Sequence, residues 1–161
     1  MIELVASLAY AHHVTDNFSS DEIRARIDHA ILKPEFTRAE VVEQLDLALQ
    51  YGVFSVCVRP ADVAFAVERL AGRVAVGTVI GFPHGATSTA AKVAEAQQAI
   101  IDGAQELDMV LNIGWLRSEL FDEVVSDIAA VVAVSQGRVV KAIFETVFLS
   151  DEQIVAACQA S

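Results

Sequence analysis

Five short apolar runs rich in β-branched residues, each followed by a longer stretch of helical periodicity, constrain this chain most. The runs are Arg26–Leu32, Val53–Val58, Val74–Ile80, Glu106–Ile113 and Arg138–Glu145. Between them the pattern predicts helices over Arg38–Tyr51, Ala61–Leu70, Thr89–Asp102 and Trp115–Val134, and a last one opening near Asp151. Strands that alternate with helices build a parallel α/β sheet with right-handed crossovers. Runs this apolar belong to strands covered on both faces, and a hydrophobic content of 54% supplies the residues for it.

Local signals mark the element ends. Thr37 with Glu40 and Ser150 with Gln153 each read as a capping box, in which two orphan backbone donors are satisfied reciprocally, and Ser19 with Glu22 suits the cap of a short helix over Asp21–Ala25. Pro60 suits a first helical turn, and Gly52, Gly72, Gly103 and Gly137 fall where helices should stop. Leu45, Ala48 and Leu49, and Val124, Val125, Ile128 and Val131, recur at helical spacing and read as core. Two architectures fit five such units: an open doubly wound sheet, or part of a (β/α)₈ barrel, which in full needs about 250 residues. In both, ligands gather at the carboxyl ends of the strands.

The bulk charge narrows the partners. A net charge of −11 repels nucleic acid and anionic membrane, so a small-molecule ligand is expected and neither of those two. The cysteines, Cys57 and Cys158, have neither metal-ligand spacing nor a disulfide framework. No metal or cofactor is expected. The first residues, Met1 to Tyr10, are apolar but carry Glu3 and lack a basic flank, which makes a poor signal peptide and too short a membrane span. A reducing, cytoplasmic setting follows as the expectation, with residues 1–19 as an N-terminal arm and 20–161 as the α/β unit.

Chemistry is signalled by charges set into strands that otherwise read as buried: Asp28 in RIDHAIL, Asp108 in ELDMVLNI, and Lys141 with Glu145 in RVVKAIFE. An unpaired buried charge costs several kcal/mol, so each needs a partner or a wet cavity. Alternation puts Asp108, Val110 and Asn112 on one face of their strand and Lys141, Ile143 and Glu145 on one face of the next. If those faces agree, Asp108 and Lys141 converge. Such a pair is either a structural ion pair or the aspartate and amine that imine chemistry needs. The loop GFPHG (Gly81–Gly85) follows the third strand, where His84 could act as acid or base or only orient a neighbour. His29 reads as a packing or hydrogen-bonding residue, and His12 and His13 carry no signal. Cys57, inside an apolar run, reads as a small hydrophobe.

Five segments in order, IDHAILKP (27–34), VFSVCVRP (53–60), VGTVIGFPHG (76–85), DGAQELDMVLNIG (102–114) and VVKAIFET (139–146), closely resemble the deoxyribose-phosphate aldolase family, from about Ser20 to the end. The resemblance implies a TIM-type (β/α) barrel with about five of eight βα units present. It implies a class I aldolase that cleaves 2-deoxyribose 5-phosphate reversibly to glyceraldehyde 3-phosphate and acetaldehyde without a metal. Asp108 then matches the proton-relay aspartate, Asp28 and Cys57 match pocket positions, and Lys141 matches a strand-five lysine that lines the pocket without forming the imine. Asn112 is expected to bind substrate. Ala30 stands where the family usually has threonine, and Val147 where it usually has glycine.

The resemblance also places the imine lysine on a sixth strand and the phosphate loops after the seventh and eighth, beyond Ser161. The chain is accordingly expected to be a truncated aldolase, inactive alone and prone to form a homo-oligomer through open edges. The alternatives are a non-catalytic binding fragment, or a short enzyme using Lys141 as nucleophile.

Overall fold

The computed structural model describes residues 18–161, so the expected N-terminal arm falls outside the described residues except for its last two. Helix α1 (Ser20–Arg24) opens on the Ser19–Glu22 capping box and leads into strand β1 (Asp28–Ile31). Then follow α2 (Arg38–Tyr51), β2 (Ser55–Val58), a 3₁₀ turn at Pro60–Asp62 that runs into α3 (Val63–Leu70), and β3 (Ala75–Ile80). The chain continues through α4 (Thr89–Ile101), β4 (Glu106–Val110), α5 (Ile113–Arg117), α6 (Phe121–Val134), β5 (Val139–Ile143) and α7 (Asp151–Ala160). Both predicted capping boxes form, and the Ser19–Glu22 cap is a third.

Two expectations are corrected. The single helix over Trp115–Val134 is two helices, broken at Ser118–Leu120, where Glu119 turns left-handed at φ 60°. The strands are shorter than the apolar runs. Asn112 and Glu145 lie beyond their strand ends, and Glu145 is itself left-handed.

The strands pair in parallel in the order β1-β2-β3-β4-β5. A doubly wound sheet reverses direction at a switch point and carries helices on both faces. Here the order never reverses, so right-handed crossovers put the helices that connect the strands on the same side. That side holds the core: Ile31, Val56, Val58, Val76, Ile80, Leu107 and Met109 pack with Val41, Leu45, Ala66, Leu70, Val124 and Val131 from the helices. Each of the larger side chains contributes about 1.5–3 kcal/mol relative to exposure, so the outer face carries the stability.

The other face is concave. Lys141 of β5 reaches Asp28 of β1 at 2.8 Å. In a flat sheet four strand spacings of about 4.8 Å would hold those strands roughly 19 Å apart, farther than the two side chains reach. The sheet is therefore curled into a trough, the curvature of a (β/α) barrel of TIM type with five units present. No described helix is long and apolar enough to cross a membrane.

Candidate active site

The inward positions alternate with the core positions along every strand. They include Asp28 and Ala30 on β1, Ser55 and Cys57 on β2, Gly77 and Val79 on β3, Glu106, Asp108 and Val110 on β4, and Lys141 and Ile143 on β5. Register sets them in layers: Asp28 lies beside Ser55, Ala30 beside Cys57, and Asp108 between Val79 and Lys141. The predicted convergence of Asp108 and Lys141 is present.

Lys141 is the hub. Its Nζ lies 2.8 Å from Asp28, 3.2 Å from Glu106 and 3.2 Å from Asp108. Burial alone would lower its pKa, but the Asp28 hydrogen bond, the Asp108 charge and the Glu106 hydrogen bond outweigh burial and hold it above the ordinary lysine value. The amine is a committed ammonium. Asp28 responds in kind: the hydrogen bond from Lys141, then one from the Ser55 hydroxyl, hold its carboxyl below the usual range.

Asp108 differs from its neighbours. Its Oδ1 is buried, makes no well-aligned hydrogen bond, and meets Lys141 as an ion pair at 3.2 Å. A carboxylate oxygen with spare accepting capacity beside a fixed cation is equipped to take and return a proton. Cys57, largely buried, is pushed up to about 12 by burial first and by the Asp108 charge second, so it stays a neutral thiol. Asn112 sits above the site, but its Oδ1 already caps α5 by accepting from the Trp115 amide at 3.1 Å, leaving its amide group for any ligand.

Two hollows flank this layer. One of about 330 Å³ lies below, among Ala25, Arg26, Asp28, Phe54, Glu106 and Lys141. The other, about 320 Å³, lies at the carboxyl ends of β1–β3, among Leu32, Pro34, Arg59, Val79, Phe82 and Glu95. The charges of the upper hollow are engaged: Arg59 binds the Lys33, Pro34 and Phe36 carbonyls and Asp62, while Glu95 accepts from the Gly81 amide. His84 stands exposed in the loop after β3. His29 points outward and bonds Gln44 of α2 at 2.9 Å. Glu106 and Ser55 were not singled out from the sequence, although Glu106 shares the alternation that identified Asp108.

The family model described as DeoC/LacD family aldolase matches residues 22–159. Deoxyribose-phosphate aldolase 1 of Staphylococcus aureus (strain MRSA252) is 52% identical over 134 residues, which span 83% of this chain and 61% of that protein. Deoxyribose-phosphate aldolase of Enterococcus faecalis is 51% identical over 140 residues, spanning 86% of this chain and 64% of its own length. The tetrameric deoxyribose phosphate aldolase of Aeropyrum pernix superposes with a TM-score of 0.79 at 28% identity, over 89% of this chain and 61% of that one. The chain thus spans less than two thirds of the length of these relatives.

Proposed function

Because the chain belongs to the DeoC/LacD family of aldolases, we propose that its concave face forms one wall of a class I aldolase chamber. The reaction is the reversible cleavage of 2-deoxyribose 5-phosphate to glyceraldehyde 3-phosphate and acetaldehyde through a lysine imine. The iminium draws the electrons released when the carbon–carbon bond breaks, so the route needs neither metal nor cofactor. Asp108 relays protons between the sugar hydroxyl and the imine carbons. Lys141 holds that carboxylate in place, and Asp28, Cys57 and the Asn112 amide contact the substrate. The observation that carries this reading is the unbonded Asp108 oxygen 3.2 Å from a triply paired lysine.

The imine-forming amine comes from outside these 161 residues. The sequence holds three lysines. Lys33 lies in the loop after β1, over the Phe36 ring. Lys92 is wholly buried against Asp127. Lys141 is held as an ammonium, which counts against its use as the nucleophile.

Borohydride trapping tests the reading, since it reduces an iminium to a stable secondary amine. The chain alone, incubated with deoxyribose 5-phosphate and borohydride, is expected to show no mass increase. Joined to the unmatched remainder of the Staphylococcus aureus relative, it is expected to gain one adduct, mapped to a lysine of the added part. An adduct on Lys141 in the chain alone would overturn the assignment of the amine. A folded chimera with no adduct and no cleavage would overturn the aldolase reading.

A further inference from the structure

The polar group least explained by this chemistry lies behind the trough wall. Lys92 of α4 and Asp127 of α6 form an ion pair in which the lysine has no exposed surface and the aspartate 1%. Burial of two charges is strongly disfavoured unless every polar atom is well placed. Here Lys92 donates to Asp127 and, at 2.9 Å, to the carbonyl of Val110, while Asp127 also accepts from the Thr89 hydroxyl at 2.7 Å.

The position of Val110 gives the pair its meaning. Pairing between β3 and β4 ends at Ile80 and Met109. The next residue of β3, Gly81, turns away at φ 65°, and the next residue of β4 is Val110. The Lys92 ammonium takes over that carbonyl where the neighbouring strand departs. Gly81 makes room for the lysine stem, because a Cβ there would lie 2.9 Å from Lys92 Cε. One turn along α4, Glu95 accepts from the Gly81 amide at 2.7 Å. The loop then closes on itself through Gly85 N to Gly81 O at 2.8 Å and presses on the residue just past β4 so closely that a Cβ on Gly85 would stand 2.0 Å from the Leu111 carbonyl oxygen.

We propose that Lys92 is a positioning residue, whose bond to the Val110 carbonyl fixes the carboxyl end of β4, and with it Asp108 and the Gly81–Gly85 loop. The proposal rests on reading the concave face as a reaction chamber. Helix packing alone does not require the charges, since an apolar pair of similar volume fills such a site as well or better. The capped carbonyl is what an apolar pair cannot supply.

The experiment separates those two roles. In the double variant Lys92→Met/Asp127→Leu, melting is expected to stay within a few degrees of the native chain. The Gly81 and Gly85 amides should nevertheless exchange at least tenfold faster, and the Leu111 amide nitrogen, in the same peptide unit as the Val110 carbonyl, should shift in the NMR spectrum. Native exchange and shifts in a stable double variant would overturn the proposal. Asp127→Asn decides the matter if the double variant does not fold, because it leaves Lys92 on Val110. It should lower the melting temperature while those amides stay native-like, and loosening of the loop in step with melting would again overturn the proposal. Borohydride trapping reports on the chemistry separately. In the chimera, a confirmed Lys92–Val110 role without an adduct would sink the chamber reading, and an adduct without that role would sink only this proposal.

Discussion

Lys141 holds together three carboxylates that would otherwise repel one another, and its pH behaviour follows from the two shifts that accompany it. Asp28 is depressed by Lys141 and Ser55, so its contribution is present above its unfolded value near 4 and is lost as pH falls through the lower folded value. Lys141 is raised, so its contribution is present below its unfolded value near 10.4 and is lost only as pH rises through the higher folded value. Between about pH 5 and 9 the pair therefore contributes a constant amount. Both side chains are nearly two-fifths exposed, which limits that pair to about 1 kcal/mol. Lys141→Met additionally leaves Asp28, Glu106 and Asp108 facing each other uncompensated. It is expected to cost about 1–3 kcal/mol at pH 7, with the difference from the native chain shrinking as pH falls to 4. Denaturant melts at the two pH values check this, and a pH-independent difference would contradict it.

Elements specified by neighbours in sequence were readable; those specified by neighbours in space were not. Capping boxes work over four residues, so Ser19, Thr37 and Ser150 could be read directly. The break between α5 and α6 has no glycine or proline to announce it, because Glu119 takes the left-handed turn itself. Alternation brought Asp108 and Lys141 together on paper and in the fold, since it needs only the period of a strand. The third carboxylate, Glu106, obeyed the same rule, but at the strand's first residue it reads equally well as a solvated end. Lys92 was invisible in principle: a lysine on a helix normally faces water, and only the approach of α6 and β4 buries it. The tight loop against β4 gives a contrast at this scale. Gly52 and Gly85 share a left-handed backbone, but a Cβ on Gly52 meets nothing within 4 Å whereas one on Gly85 collides with Leu111. Gly52→Ala is expected to cost about 1–2 kcal/mol, and Gly85→Ala about 2 kcal/mol or more beyond that. Equal melting shifts would show that the loop does not press on the strand.

At the scale of the molecule, the inner strand β2 is buried throughout while the edge strands β1 and β5 are partly open. Neither outer strand has a second partner among the described residues. Unpaired edges beside an uncovered trough invite association, so the 161-residue polypeptide is expected to show a scattering mass that rises with concentration. A concentration-independent monomer would argue against sticky edges. The functional account stands or falls on the trough being a working surface, and Asp108 offers the most direct measurement. In the chimera completed from the Staphylococcus aureus relative, Asp108→Asn keeps the shape and removes the proton acceptor. The account predicts that kcat for cleavage of 2-deoxyribose 5-phosphate falls at least about 10²-fold with melting nearly unchanged. Turnover within a few-fold of the unsubstituted chimera would contradict it.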